Sequence, residues 1–281
     1  MTQEITHIHR QPKDRSNQEM SLRILQITDC HLQADPEWKL AGINTQTSFE
    51  WVMDLASQDP KRIDLILLTG DLVHDASVEG YRRLNQHIQS FGIRTCCLPG
   101  NHDKPAELYK HLTGGLIEAT KVIDLGSWVV VMLDSTIPHS EGGHLRDQEL
   151  ELLQQSLHDY ADRPVLIALH HHPIKINSAW MDNMALDNPG PFLSILDQNK
   201  NAKGVIWGHI HQNFETVYNG IQMLGTPSTC IQFVENQDSF GISTAPPGFR
   251  WLELRPDGSI STGIERVAAL PPGLDLKTAG Y

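Results

Sequence analysis

Six short aliphatic runs are the feature that most constrains how this chain folds. Their residues hardly alternate with polar ones, which is typical of strands that are buried on both faces of a sheet. Most of these runs end abruptly in polar residues. The runs cover residues 22–28, 64–69, 95–98, 128–133, 165–169 and 205–207.

The segments between these runs predict helices. Residues 47–57, 78–91 and 147–160 each carry apolar side chains at the spacing of one helix face. Strands that alternate with helices indicate an α/β fold with a largely parallel or mixed sheet. The chain has no internal repeat and no linker rich in Pro, Gly or Ser that would divide it in two.

The last third of the sequence has a different pattern. Asn219-Gly220 and Asp257-Gly258 each separate two strand-like segments, and such dipeptides are typical of tight hairpin turns. We therefore expect antiparallel strands near the C-terminal end of the sheet system. Residues 235–248 show little periodicity and predict a long loop, and residues 268–281 form a tail punctuated by Pro and Gly.

The charge balance bears on the class of partner. The net charge is −12, from 34 acidic and 22 basic residues, and there is no run rich in Lys or Arg. Proteins that bind nucleic acid usually carry a basic surface, so this balance argues against nucleic acid as a partner. A small phosphate ester is compatible with it, because bound cations can reverse the local field of an acidic site.

The first twenty residues bear on location. They are polar and mixed in charge, and they lack the apolar core of a secretory signal. No later stretch approaches the roughly 20 apolar residues that span a membrane. The sequence therefore predicts a cytoplasmic protein without a membrane partner, and a flexible N-terminal arm over residues 1–20.

Five polar clusters follow the buried runs, at the points where the predicted strands end. In open α/β sheets, sites form in the crevice beyond the carboxyl ends of the strands, so these clusters can converge on one place. The five clusters are Asp29-Cys30-His31, Gly70-Asp71, Gly100-Asn101-His102-Asp103, His170-His171-His172-Pro173 and Gly208-His209-Ile210-His211.

The residue types in these clusters suit metal ions. Asp carboxylate, Asn carbonyl and neutral imidazole form a ligand set that fits Mn, Fe, Co, Ni or Zn better than Ca or Cu(I). Residues two apart in an extended chain point to the same face. We therefore expect Asp29 and His31 to face one ion together, and His209 and His211 to do the same, with the residue between each pair pointing away.

The number of candidate ligands favours two ions over one. A single tetrahedral zinc takes about four ligands. A larger set with one shared carboxylate fits two ions about 3.5–4 Å apart, which can bind a phosphate group between them. The seven candidates are Asp29, His31, Asp71, Asn101, His171, His209 and His211.

Each cluster also has an ordinary interpretation when it is taken alone. Asp71 could be a helix N-cap, and Gly100-Asn101 could be a turn. His209 and His211 could be surface residues of a strand. Five such clusters in this order, each after a buried run, favour one shared site over five coincidences.

The order of the clusters resembles the calcineurin-like metallophosphoesterase superfamily. Its pattern is D-x-H, G-D, G-N-H-[DE], H and G-H-x-H, and every element occurs here between about residues 22 and 267. Within that superfamily the chain is most similar to the bacterial class III 3′,5′-cyclic AMP phosphodiesterases. That closer similarity is carried by LQITDCHL, TGDLVHD, LPGNHD, LHHHP, GHIHQ, TPSTCIQF and the APPGFRW stretch near residue 250.

The resemblance implies a fold and a domain organisation. The fold is an α/β sandwich of two mixed β-sheets flanked by helices (α/β/β/α). The metallophosphoesterase domain would cover residues 21–267, between the flexible arm of residues 1–20 and a C-terminal tail of residues 268–281.

The resemblance also implies a role for each candidate residue. Asp71 would bridge the two ions, and His102 would stay off the metals and act on the substrate phosphate as the catalytic residue. The family ligand stands two residues before the proline, which selects His171 over His170 and His172. Asp29, His31 and His211 would hold one ion, and Asn101, His171 and His209 the other. The substrate would contact His31, Asp71, Asn101, His102, His171 and His211.

The activity implied by the resemblance is hydrolysis of 3′,5′-cyclic AMP to 5′-AMP by a metal-bound hydroxide. The two ions would be Fe and/or Mn, with Zn, Co or Ni as alternatives, and the protein would be a monomer or homodimer. The alternative substrate is another small phosphodiester, such as a glycerophosphodiester or a nucleotide metabolite. A nuclease is disfavoured by the charge, and a non-catalytic scaffold is disfavoured by the complete ligand set.

Several further positions have two interpretations. They can lie beside the site, supporting ligands or contacting the base of a nucleotide, or they can belong to ordinary loops and packing. The positions are His74 and Asp75, the loop 135–146 with His139 and His144, Trp180 with Met181 and Met184, and the segment 226–232.

Overall fold

The computed structural model describes residues 21–280. The predicted arm of residues 1–20 lies outside the described residues. The strands are β1 Leu22–Ile27, β2 Lys39–Leu40, β3 Ile43–Asn44, β4 Leu65–Thr69, β5 Thr95–Leu98, β6 Ile117–Glu118, β7 Val122–Asp124, β8 Val129–Met132, β9 Val165–Ala168, β10 Ala202–Trp207, β11 Phe214–Tyr218, β12 Ile221–Gly225, β13 Gln232–Phe233, β14 Ile242–Ser243, β15 Gly248–Leu254 and β16 Ile260–Arg266. The helices are α1 Thr45–Ser57, α2 Val78–Phe91, α3 Pro105–His111, α4 Asp147–Asp159, α5 Ala179–Asp182 and α6 Pro189–Gln198.

Two six-stranded mixed sheets carry the architecture. The first has the order β16-β15-β1-β4-β5-β6. Its four strands β1, β4, β5 and β6 run parallel to one another. The second has the order β11-β12-β10-β9-β8-β7, with a parallel centre and an antiparallel strand at each edge. All six predicted aliphatic runs lie in these parallel centres, which confirms that they are buried strands, and β6 and β12 add one further parallel strand to each sheet.

Three apolar layers hold the sheets and helices together. Between the sheets, Leu65 and Leu67 of the first sheet share a core with Val130, Leu166 and Ile206 of the second. A second layer buries the outer face of the first sheet under α1 and α2, and a third covers the second sheet with α4 and α6. The order helix, sheet, sheet, helix confirms the predicted α/β/β/α sandwich.

Local capping sets the helix ends. Helix α2 starts after Ser77, whose side chain accepts a hydrogen bond from Gly80 N, and it ends at Gly92 in the left-handed conformation, with φ of 76°. Helix α1 begins two residues before the predicted start, because the Asn44 side chain accepts a hydrogen bond from Thr47 N. The periodic pattern predicts the helix body, whereas the cap decides the terminus.

Both predicted hairpins are present. Strands β11 and β12 pair around Asn219-Gly220, whose φ angles are 47° and 83°, as a tight turn of this kind requires. Strands β15 and β16 pair around Asp257-Gly258. The predicted loop of residues 235–248 is interrupted, because Ile242–Ser243 pairs with Gln232–Phe233 and because β15 already begins at Gly248.

The C-terminal segment has no helix or strand over residues 268–280, but it is packed against the domain. Asp275 N donates to Ala41 O at 2.9 Å, and Leu274 packs against the core of the second sheet. The boundary between residues 267 and 268 stays a prediction. None of the helices within residues 21–280 has the length and apolar character needed to cross a membrane.

Candidate metal centre and active site

The five polar clusters lie at the carboxyl ends of β1, β4, β5, β9 and β10. The first three strands are neighbours in one sheet, and β9 and β10 are neighbours in the other. Their ends meet along one edge of the sandwich, where several groups of three His or Asp side chains have ligand atoms within 4.8 Å of one another. Both sheets therefore contribute to one site.

The first group contains Asp29, His31 and His211, all of which are buried. His31 Nε2 lies 3.2 Å from His211 Nε2, which in turn lies 3.4 Å from Asp29 Oδ1. His211 Nδ1 donates to Ile231 O at 2.9 Å, so the lone pair of Nε2 points into the group. These are the three side chains that the family resemblance assigns to one ion, whereas residue spacing paired His211 with His209, which lies in the second group.

The second group contains His170, His171 and His209. His171 Nδ1 lies 2.8 Å from Ser135 Oγ, and His171 Nε2 is buried without a hydrogen-bond partner among the described residues. Both ring nitrogens of His209 are also buried without one. Buried polar atoms are almost always paired, so unpaired nitrogens that face one another fit the donor set of a metal ion.

Asp71 lies between the two groups. Its Oδ1 accepts a hydrogen bond from His102 N at 2.9 Å. Its Oδ2 is 3.8 Å from His31 Nε2 and 3.3 Å from His170 Nε2, and it has no hydrogen-bond partner within residues 21–280. Burial alone would raise the pKa of this carboxyl, but His170 and His102 outweigh burial and hold its pKa well below the usual range. The carboxylate is placed to serve both groups.

The three consecutive histidines take different places. His170 Nδ1 donates to Thr69 O at 2.9 Å, and His170 Nε2 is 3.1 Å from Asn101 Oδ1. Burial opposes its charge, yet Asp71 raises the pKa of His170 to about 9. His172 Nε2 instead faces Asp182 of α5 at 3.4 Å. His171 is the one whose Nε2 faces His209 without a partner, which supports its selection, while His170 lies closer to the centre than the sequence suggested.

The backbone at the candidate ligands differs from the extended chain that residue alternation suggested. Strands β1 and β10 end at Ile27 and Trp207, before the ligands begin. Five of the seven candidates are in the left-handed region, which costs about 1 kcal/mol per residue for side chains other than glycine. Their φ angles are 53° at Asp29, 45° at His31, 50° at Asp71, 67° at His209 and 47° at His211.

Contacts between the strand-end loops fix this conformation. Asp29 N donates to Gly70 O at 3.0 Å, and His209 N donates to Asp29 Oδ1 at 3.0 Å across the two sheets. At Gly208 a Cβ atom would lie 2.6 Å from Asp29 Oδ2, so only glycine permits this approach. The side chains converge through sharp turns, and the prediction of convergence by strand alternation is wrong in its geometry.

His102 and His74 form a stacked pair beside the first group. Their ring centroids are 4.4 Å apart with an interplanar angle of 21°, and His102 also meets His31 edge-on at 4.9 Å. His74 Nδ1 is 3.1 Å from His31 Nδ1. Burial and the nearby His102 lower the pKa of His74 to about 4. His74 therefore belongs to the site, whereas Asp75 accepts hydrogen bonds from Ala34 N and Ser77 N in an exposed turn.

Two supporting residues escaped the sequence interpretation. Asp103 accepts hydrogen bonds from Leu72 N, Gly100 N and Tyr81 Oη at 2.9 to 3.1 Å, so it joins the loop after Asp71 to the loop that carries Asn101 and His102. Burial, and then Asp71, raise the pKa of Asp103 to about 6. Ser135 orients His171, as described above. The aspartate of G-N-H-D was a visible signal, but a lone serine was not.

Segment 226–232 lies beneath the site. Ser228 Oγ donates to Asp29 O at 2.7 Å, and Thr226 Oγ1 donates to Gln26 Oε1 at 2.6 Å. Both side chains are buried, so the segment supports the Asp29 turn. Loop 135–146 does border the site: a Cβ at Gly143 would lie 2.4 Å from His171 Cγ, while His144 pairs with Asp187 at the surface.

A cavity of about 310 Å³ opens beside the two groups. Trp180 and Met184 belong to its wall, whereas Met181 is buried in the core. A larger groove of about 460 Å³ lies near α6 and the β11–β12 turn and contains none of the candidate ligands. The cavity beside the site is lined by Asn101, His102, Glu141, Trp180, Met184, His209, Phe240, Ala279 and Gly280.

Comparison with known proteins decides the family. The profile of the calcineurin-like phosphoesterase family matches residues 22–213. The chain belongs to this family. Calcineurin-like phosphoesterases use a dinuclear metal centre, and the two groups of side chains with Asp71 between them fit such a centre. The identity of the metals is a separate question.

Curated relatives of this phosphoesterase match over nearly their whole length. The "3′,5′-cyclic adenosine monophosphate phosphodiesterase CpdA" of Pseudomonas aeruginosa is 37% identical over 93% of this chain and 96% of its own. The "3′,5′-cyclic-nucleotide phosphodiesterase alr5338" of Nostoc sp. is 39% identical over 94% and 100%. CpdA of Escherichia coli K12 is 37% identical over 94% and 96%.

Solved structures confirm the calcineurin-like fold. A dimetal phosphatase from Danio rerio has a TM-score of 0.59 at 13% identity and covers 89% of this chain and 100% of its own. A purple acid phosphatase from yellow lupin has a TM-score of 0.63 at 13% identity, with 89% and 52% covered. At this identity the likeness shows the fold alone.

Proposed function

We propose that this chain is a two-metal phosphodiesterase that hydrolyses 3′,5′-cyclic AMP to 5′-AMP. The observation that carries the proposal is Asp71: a buried carboxylate whose Oδ2 accepts no hydrogen bond from residues 21–280 lies between two groups of inward-facing imidazoles. Beside it is a cavity of about 310 Å³, large enough for a small ester. Relatives at 37–39% identity carry names that specify cyclic nucleotide phosphodiesterases.

The candidate ligands divide between two ions. One ion would be held by Asp29, His31 and His211. The other would be held by Asn101, His171 and His209. Asp71 would contact both ions. When bound, the ions supply Lewis-acid chemistry, since they polarise phosphoryl oxygens and activate water at neutral pH. The mixed oxygen and nitrogen donors fit Mn, Fe, Co, Ni or Zn, and from the family resemblance we propose Fe and/or Mn, with Zn, Co and Ni as alternatives.

His102 is the proposed catalytic residue of the chain itself. Its ring faces the cavity, its backbone N–H is fixed by Asp71, and its face is held by the His74 ring. A protonated imidazole at this position can stabilise charge that develops on the phosphate and can donate a proton to the leaving 3′ oxygen. The stack with His74 restricts rotation of the ring and so holds it toward the substrate.

Replacement of His102 by alanine is expected to lower kcat for cAMP by about 100-fold, the lower range for loss of a general acid. Because the ligand side chains are untouched, the metal content should stay at the wild-type level. Steady-state kinetics with elemental analysis measure both. His158→Ala, an exposed position on α4, is the matched control and should leave kcat unchanged. Full turnover by His102→Ala would remove this residue from the mechanism.

The cavity wall favours a nucleotide over the alternative of a glycerophosphodiester. Trp180, Met184 and Phe240 form an apolar side that a planar base can stack on, and a glycerol group would leave that side uncovered. The charge of −12 keeps nucleic acid out of the proposal. The proposal also includes a cytoplasmic location and a monomer or homodimer.

The experiment that tests the proposal is hydrolysis by the metal-reconstituted protein of four substrates. They are cAMP, cGMP, 2′,3′-cyclic AMP and bis(p-nitrophenyl) phosphate. Selective conversion of cAMP to 5′-AMP supports the full proposal. Cleavage of the nitrophenyl ester without turnover of cAMP would keep the phosphodiesterase chemistry and reject the substrate. No hydrolysis of any diester after loading with Mn or Fe would reject the function.

A further inference from the structure

The C-terminal segment of residues 268–280 reaches the active site. Its residues Ala279 and Gly280 line the 310 Å³ cavity, on which His102, His209 and Trp180 also border. The domain prediction treated this segment as a tail outside the phosphoesterase domain. Two residues of the segment instead form part of the rim of the site, so its position bears on what the cavity admits.

A close backbone contact seats this segment on the domain. Gly42 and Gly273 are both in the left-handed region, with φ of 82° and 107°. A Cβ at Gly42 would lie 2.0 Å from Gly273 O, and a Cβ at Gly273 would lie 2.6 Å from Gly42 O. Asp275 N donates to Ala41 O beside them, at 2.9 Å. We call this contact of Ala41-Gly42 with Gly273 and Asp275 the seat. It requires glycine at both positions 42 and 273, and it fixes the course of the chain toward the cavity.

The seat belongs to the same segment that contacts His74. It lies in the turn between β2 and β3, where Leu40 and Ile43 are buried in the core. A few residues earlier, Trp38 packs on His74 with ring centroids 4.7 Å apart, and His74 stacks on His102. The seat is therefore connected to the site through buried side chains and ring contacts.

The cavity wall that faces this rim is aromatic and well supported. Trp180 meets Phe233 and Phe240 edge-on, at centroid distances of 5.0 and 5.2 Å. Phe233 stacks on His211 at 4.4 Å with an interplanar angle of 16°. Through Phe233, the wall is thereby joined to His211, a candidate metal ligand. A nucleobase gains binding affinity by stacking on such a surface.

We propose that residues 268–280 form the outer rim of a nucleobase subsite whose wall is Trp180, Met184 and Phe240. The inference rests on the proposed function and assigns the segment a role in substrate specificity. The small side chain of Ala279 and the absent one of Gly280 leave room for a base, while their backbone excludes water from one side of it. The segment selects nucleotides through the base and leaves the reaction at phosphorus unchanged.

The test uses one variant that is remote from the candidate ligands and the cavity, and one that removes the rim itself. Gly42→Ala places a methyl group against Gly273 O and displaces the segment. Gly126→Ala is the matched control, because Gly126 has a similar φ of 84° and no atom within 4 Å of the added Cβ. A second variant stops the chain after Lys277, which removes the rim residues and keeps the seat. KM and kcat are measured for cAMP and for ribose 3′,5′-cyclic phosphate, which lacks the base.

We expect both test variants to raise KM for cAMP by about 10-fold, in keeping with the loss of part of one stacking contact. The base-free ester should keep its KM, kcat should be preserved, and Gly126→Ala should match the wild type. Three results would contradict the proposal that residues 268–280 form this rim. They are an unchanged KM for cAMP in the variant that ends at Lys277, an equal change of KM for both esters, and a lower KM for cAMP. If the wild type cleaves the base-free ester and leaves cAMP intact, the proposed substrate fails, and the base subsite fails with it.

Discussion

Replacement of Asp71 by alanine is expected to lower kcat/KM for cAMP by about 1000-fold, or about 4 kcal/mol of transition-state stabilisation. The carboxylate is buried between the two ligand groups, with its Oδ2 3.8 Å from His31 Nε2 and 3.3 Å from His170 Nε2. Its loss removes a negative charge from a site rich in imidazole and, on the proposed assignment, the one carboxylate that both ions would share. Steady-state kinetics on the reconstituted variant measure the effect.

Asp71→Asn separates charge from shape. It keeps the oxygen that accepts the His102 N–H and loses the charge, so we expect it to be nearly as impaired as Asp71→Ala. Asp54→Ala, an exposed acidic position on α1, is the control for removing one negative charge and should match the wild type. Activity of Asp71→Ala within tenfold of wild type, with two metals per chain, would show that the site does not depend on a bridging carboxylate.

Removal of the metals by a chelator is expected to lower the melting temperature by about 10 °C. Ions present at a thousand times their dissociation constant stabilise the folded chain by about 4 kcal/mol. For a chain of this size each kcal/mol shifts the melting temperature by about 2–4 °C. We expect metal binding to stabilise the whole domain, because it would link the two sheets. Asp29 and Asp71 follow strands of one sheet, while His171 and His211 follow strands of the other.

His209→Ala provides the internal control for the chelation experiment. This variant lacks one candidate ligand, so its melting temperature should already be reduced and should respond less to the chelator. Differential scanning calorimetry with parallel elemental analysis records both quantities. If the chelator strips two metals per chain and the melting temperature of the wild type does not move, the centre does not contribute to holding the sheets together.

Local sequence patterns predicted most of the fold. The aliphatic runs became the parallel centres of both sheets, and the periodic segment Val78–Phe91 became α2 with the same bounds. Hairpins at Asn219-Gly220 and Asp257-Gly258 followed from turn chemistry that acts over a few residues. Grouping of the candidate ligands followed from topology, because parallel strands bring their carboxyl ends to one edge.

The parts that escaped prediction depend on contacts between distant segments. Ser135 meets His171 only after two strands have paired, and the seat joins Gly42 to Gly273 across most of the chain. His170 is tied to Thr69 of the other sheet, 101 residues away. No periodicity or spacing encodes such pairs. The left-handed turns at the ligands escaped for the same reason, since bonds between loops, such as that from Asp29 N to Gly70 O, impose them.

These left-handed turns have a consequence for how the enzyme acquires its ions. The strain at five candidate ligand positions, ~5 kcal/mol in total, is balanced by hydrogen bonds between the loops, such as that from Asp29 N to Gly70 O. Because these bonds come from the protein itself, an ion that binds here would spend little of its binding free energy on ordering loops. The fold accepts a cost in folding stability to hold the candidate ligands in place. Contacts between the strand-end loops would therefore contribute to metal affinity as well as the ligand atoms themselves.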